Sequence, residues 1–157
     1  LLKPIIEDDL LQSLNRIGGQ NEIHEIFIID DDPDDLRLLE KMLEENKNYV
    51  PIIANTGPAG WDKMVNSHPQ AVLLDLFMPE MGGFEIIDAM QEYSTLKDIP
   101  VIVISGGDIS KTQQEKLDAL NHHLLKKGSL SADELADTLE RSLKRLAKPN
   151  TNAKERK

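Results

Sequence analysis

Apolar residues in this chain fall into short runs that alternate with longer stretches of helical period. The runs at residues 26–29, 50–54, 71–74 and 101–104 are rich in β-branched side chains, and Leu124-Leu125 is a weaker fifth. Within them the apolar residues are mostly consecutive, not alternate, which is the pattern of parallel strands covered on both faces. Stretches of helical period lie between, at 33–46, 58–67, 83–93, 110–120 and 131–147. Pro33 opens the first, at a position where its missing N–H is not needed. Ser131-Ala132-Asp133-Glu134 opens the last as a capping box. So regular a βα alternation predicts an α/β fold: a doubly wound, five-stranded parallel sheet with helices on both faces. In such a sheet the reactive groups collect beyond the carboxyl ends of the strands, near a switch in strand order.

The two ends of the chain break the alternation. Residues 1–17, LLKPIIEDDLLQSLNRI, read as a Lys-Pro pair followed by an amphipathic helix, and Gly18-Gly19-Gln20-Asn21 as a linker. From residue 148 the sequence KPNTNAKERK is polar and without period, so a disordered tail is expected over 149–157. The organisation expected is therefore a head at 1–24, a main domain at 25–148 and that tail.

Composition narrows the partners. Of 157 residues 39% are hydrophobic, enough for one α/β core with residues left over at the ends. Eighteen basic against 28 acidic residues leave a net charge of -10, which argues against nucleic acid or an anionic membrane surface as a direct partner. Without cysteine there is neither a disulfide framework nor a thiolate metal site, and no apolar run approaches the roughly 18 residues of a membrane span. A cytoplasmic location is the expectation. The chain begins at Leu1, so it is also expected to be a piece of a longer protein whose other parts could be membrane-anchored.

The chemistry sits at the strand ends. Asp30, Asp31 and Asp32 follow the first strand and Asp75 follows the third, which carries four carboxyl groups to one edge of the sheet. Two like charges about 4 Å apart repel by roughly 4 kcal/mol at an effective dielectric near 20, so such a cluster persists where a cation occupies it. An open site of oxygen ligands suits Mg²⁺, which keeps part of its water shell. An aspartate run before a proline is equally an ordinary helix start, with side chains capping free N–H groups. Asp75 has no such role, since it ends an apolar strand and is followed by Met78-Pro79. Ser105 ends the fourth strand ahead of Gly106-Gly107, and Lys126 and Lys127 follow the fifth. Taken singly, a serine before glycines is a turn former and a lysine pair is a solvated loop. Their joint placement at one sheet edge is what points to phosphate chemistry.

The stretches IFIIDDDPDDLRLLE, AVLLDLFMPEMGGFEII, IPVIVISGG and LLKKGSLSADEL make residues 25–147 resemble the receiver domains of bacterial response regulators, the aspartate switches of two-component phosphorelay signalling. That resemblance implies a flavodoxin-like sheet in strand order 2-1-3-4-5. It implies that Asp31 binds Mg²⁺ directly and Asp30 partly through water, with Asp75 and the main-chain carbonyl of Phe77 completing the protein ligands. Asp75 becomes the phosphoacceptor, Ser105 contacts the phosphoryl group and a lysine pairs with it. The family spacing from Asp75 and Ser105 favours Lys127 over Lys126, and Asp32 falls outside the site. The implied partner is a histidine kinase or histidine phosphotransfer domain. The surface that responds is the fourth helix, fifth strand and fifth helix, which is also the implied homodimer face.

Three departures stand out. Met81-Gly82-Gly83 replaces the usual Met-Asp-Gly, Leu124 occupies the switch-aromatic position, and Gly128 stands where proline is common. LKKGSLSADEL resembles the terminal receivers of hybrid histidine kinases, and the head resembles the end of a preceding receiver, which together imply a fragment of a tandem-receiver hybrid kinase. On this reading the domain phosphorylates itself and slowly dephosphorylates, and is not a turnover enzyme. Two alternatives compete. A haloacid-dehalogenase-type phosphatase would use the Asp-x-Asp within Asp30-Asp31-Asp32, but leaves Asp75 without a role. A pseudo-receiver would bind partners without phosphorylation, against which the complete residue set argues.

Overall fold

The computed structural model describes residues 23–155, so the expectations for the head lie outside the described residues. Five strands form one parallel sheet: β1 (His24–Ile29), β2 (Tyr49–Ala54), β3 (Ala71–Asp75), β4 (Val101–Ser105) and β5 (His123–Lys126), in the order β2-β1-β3-β4-β5. Helices α1 (Pro33–Glu44), α2 (Gly57–Ser67), α3 (Gly83–Gln91), α4 (Lys111–Ala119) and α5 (Ala132–Glu155) connect or follow them, with a 3₁₀ turn at Lys127–Ser129. This is the expected doubly wound sheet in the 2-1-3-4-5 order.

The consecutive apolar runs are explained by two cores, one on each face of the sheet. Alternate side chains Ile26, Ile28, Leu73, Ile102 and Ile104 meet Leu36, Leu39 and Leu43 of α1 and Leu135 and Leu139 of α5. The intervening Phe27, Ile29, Val72, Leu74, Val101 and Val103 meet Met64 of α2, Ile86, Ile87 and Met90 of α3 and Leu117 of α4. Burying one such side chain contributes about 1.5–3 kcal/mol, so the central strands β1, β3 and β4 hold the sheet together. β2 lies at an edge and is only partly buried, which is why Pro51 is tolerated opposite Ile26.

Local signals set the helix starts. Thr56 caps α2 through a 3.1 Å bond from Ala59 N–H, and Ser110 caps α4 in the same way from Gln113 N–H. At α3 the cap residue is Gly82, which has no side chain to offer, and Glu85 instead accepts the Gly82 N–H at 2.8 Å. The helical backbone of α5 runs through Pro149 to Glu155, across residues for which the sequence suggested a tail.

Candidate functional site

Strand register brings the acids together. β1 pairs with β3 so that Ile29 stands opposite Leu74, which leaves Asp30 and Asp75 as adjacent ends of neighbouring strands. Asp30 is 1% exposed, and its Oδ1 accepts the Asp32 N–H at 2.9 Å, turning the chain from β1 into α1. Asp32 caps α1 by accepting the Asp34 N–H at 2.9 Å and is exposed, so it serves the helix and not the cluster. Asp31 lies exposed between them. Ligand oxygens of Asp30, Asp31 and Asp75 lie within 4.8 Å of one another. Phe77, expected as a main-chain ligand, follows in the β3–α3 loop with its side chain largely exposed.

The turn after Asp75 depends on a glycine. A Cβ on Gly83 would lie 2.8 Å from both the carbonyl oxygen of Asp75 and Cα of Leu76, so only glycine lets α3 start against that strand end. Gly83 N–H donates to Leu76 O at 3.0 Å and closes the loop.

Of the two adjacent lysines, Lys127 is the one that reaches the acids. Its Nζ lies 3.0 Å from Asp30 Oδ2, 3.5 Å from Asp75 Oδ1 and 2.7 Å from Asp35 Oδ2. Lys126 turns away and pairs with Asp108 at 2.8 Å on the exposed surface. Ser105, at the end of β4, is fully buried; its Oγ donates to Gly107 O at 2.8 Å and accepts the Gly107 N–H at 3.1 Å. Its place follows from the register that sets Asp75 opposite Ile104, one residue before it. Leu124 packs partly buried against the α2–α4 core and brings no aromatic ring to the site.

Burial and crowding shape the charges. Burial foremost, then the Asp30 charge, push the Asp75 carboxyl up to about 6, against the pull of Lys127. Asp30 is likewise raised by burial, although the Asp32 N–H and Lys127 oppose it. Burial alone would lower Lys127; hydrogen bonds to Asp35 and Asp30 outweigh it and hold the ammonium above its ordinary value. The cluster fits a hard divalent cation on two counts. Its converging donors are all oxygens, and the buried Asp30 Oδ2 meets the Lys127 ammonium at 3.0 Å and takes no other hydrogen bond among the described residues.

Asp35 was not expected in the site. An acid in the first turn of a helix is an ordinary response to the macrodipole, so its pairing with a lysine 92 positions away left no mark in local sequence.

Comparisons with known proteins bear on the family and the fold. The family model for the response regulator receiver domain matches residues 26–140. An uncharacterized 14.6 kDa protein of Leptolyngbya boryana is 31% identical over 103 residues, which are 65% of this chain and 78% of that protein. The transcriptional regulatory protein KdpE of Mycobacterium tuberculosis is 33% identical over 94 residues, 60% of this chain but only 40% of KdpE. Among solved structures, the receiver domain protein (CheY-like) from Methanospirillum hungatei JF-1 matches with a TM-score of 0.72 at 22% identity, covering 82% of this chain and 99% of that one. That likeness concerns the fold.

Proposed function

The chain belongs to the response regulator receiver domain family, and from that membership we propose that it takes a phosphoryl group onto Asp75 in the presence of Mg²⁺ and changes its surface for signalling. The observation that carries the reading is the meeting of acids from β1 and β3 with the ammonium of Lys127.

In the proposed reaction an Asp75 carboxylate oxygen attacks the phosphorus of a phosphohistidine on a histidine kinase or phosphotransfer partner. The P–O bond forms as the P–N bond breaks, the electron pair returns to the imidazole, and Asp75 becomes an acyl phosphate. Asp30, Asp31, Asp75 and the carbonyl of Phe77 would hold the cation. When bound, Mg²⁺ supplies positive charge to the phosphoryl oxygens. Lys127 supplies the second positive charge, as a compact ammonium already 3.5 Å from Asp75 Oδ1. Because the transition state of phosphoryl transfer is loose, alignment and neutralisation are most of the catalysis. Ser105 must give up its two bonds to Gly107 to reach the new oxygens, which couples the reaction to the β4–α4 loop. The added charge of about -1.5 to -2 is then expected to alter the face of α4, β5 and α5, the surface we assign to output and to pairing of two copies.

The phosphatase alternative loses ground at Asp32, whose carboxylate is engaged as the α1 cap. Among the described residues no helix is long and apolar enough to cross a membrane. The functional unit we propose spans residues 25–148. Origin as the terminal receiver of a tandem-receiver hybrid kinase rests on the resemblance of the head and of residues 125–135.

Incubation with acetyl phosphate and Mg²⁺ followed by intact mass measurement tests the reading. One phosphoryl group per chain, absent without Mg²⁺ and absent in Asp75→Asn, is expected. An adduct that survives Asp75→Asn contradicts it.

A further inference from the structure

Three carboxylates compete for the ammonium of Lys127. Asp35 is the nearest and accepts its hydrogen bond at 2.7 Å, while Asp30 and Asp75 stand at 3.0 and 3.5 Å. Asp30 and Asp75 belong to the cluster of converging oxygens, and Asp35 does not. Helix α1 has no need of Asp35 for its own start: Asp32 is the cap, and Asp34 already supplies a first-turn acid and pairs with Arg37. Yet the Asp35 side chain is only 30% exposed and bridges α1 to the turn after β5.

The juxtaposition matters because Lys127 and a divalent cation want the same oxygens. Two cations crowded on Asp30 and Asp75 repel each other, and each carboxylate lone pair given to the ammonium is withdrawn from the metal. Lysine carries its charge on a flexible four-carbon stem, so a third acceptor can decide where the ammonium rests.

We propose that Asp35 is the positioning residue of Lys127, holding the ammonium at the margin of the acid cluster so that Asp30 and Asp75 stay open to a divalent cation. The inference rests on the Mg²⁺ reading of the site. In the absence of Asp35, Lys127 has only the metal's own carboxylates to pair with, and it becomes a competitor of the cation.

Calorimetric titration with MgCl₂, without any phosphodonor, tests this on the wild type, Asp35→Asn, Lys127→Ala and the double variant. Asp34→Asn serves as a control, since it removes the same charge from the same helix turn without touching Lys127. Tryptophan fluorescence from Trp61, stacked edge-on against Tyr93 at 5.5 Å, reports that each variant is folded. Asp35→Asn is expected to weaken Mg²⁺ binding about threefold to tenfold, the range of a partly shielded charged pair. Lys127→Ala is expected to tighten it, and on that background Asp35→Asn should change affinity by less than about twofold. An Asp35→Asn effect no larger than that of Asp34→Asn, or one that persists without Lys127, overturns the inference while leaving the metal reading intact. No Mg²⁺ binding by the wild type overturns the metal reading itself, and the inference with it.

Discussion

Lys127 Nζ lies 3.5 Å from Asp75 Oδ1 although β4 separates β3, which ends at Asp75, from β5, which Lys127 follows. The side chain must therefore cross over the end of β4, and a Cβ on Gly106, just past that end, would lie 3.7 Å from Lys127 Cδ. That is ordinary van der Waals contact, so the lysine stem runs alongside Gly106 on its way to the acids.

Lys126 and Lys127 are expected to behave differently despite their adjacency. Lys126→Ala removes an exposed pair with Asp108 and should leave both stability and phosphorylation unchanged, because solvent already screens that contact. Lys127→Ala leaves buried acids without their counterion and should lower both stability in EDTA, by about 1–2 kcal/mol, and the rate of adduct formation. Urea unfolding and time-resolved mass measurement read the two effects. Equal behaviour of the two variants would contradict the assignment.

Asp75 should make the metal-free protein less stable as pH rises. Its folded value of about 6 lies above the 3.8 of the ordinary carboxyl. Between those values the folded state retains a proton that the unfolded state has released, so each rise in pH favours unfolding. The stabilisation is complete below about pH 4 and lost by about pH 6, and Asp30, also raised, adds in the same direction. In EDTA, Asp75→Asn is expected to gain on the wild type across that window, reaching on the order of 2 kcal/mol at pH 7. A stability difference that stays constant from pH 4 to pH 7 would show that the charge at residue 75 is not the cause.

Gly83 and Gly107 offer a paired test of backbone space. Gly83→Ala drives a methyl group against Asp75 O and Leu76 Cα at 2.8 Å, and overpacking of this kind costs about 1–3 kcal/mol. Since the displaced atom belongs to Asp75, Mg²⁺ affinity should fall with stability. Gly107→Ala meets nothing within 4 Å and should change neither. Thermal unfolding with and without Mg²⁺ distinguishes the two.

Much of this site is legible in sequence because strand ends are. Asp30 and Asp75 each terminate an apolar run, so a parallel register alone delivers them to one edge. Lys127 follows from the same logic together with the family spacing that favours it over Lys126, and the structure sets Lys127 Nζ beside the acids and Lys126 Nζ on Asp108. Asp35 was hidden because a helix start gives an acid a sufficient local reason to exist.

The most direct measurement locates the phosphoryl group. Protein treated with acetyl phosphate and Mg²⁺ is trapped by borohydride, which reduces an acyl phosphate to the alcohol, and its peptides are weighed. The account predicts a single reduced site at Asp75. Reduction at Asp30, Asp31 or Asp32 with Asp75 unmodified would contradict it.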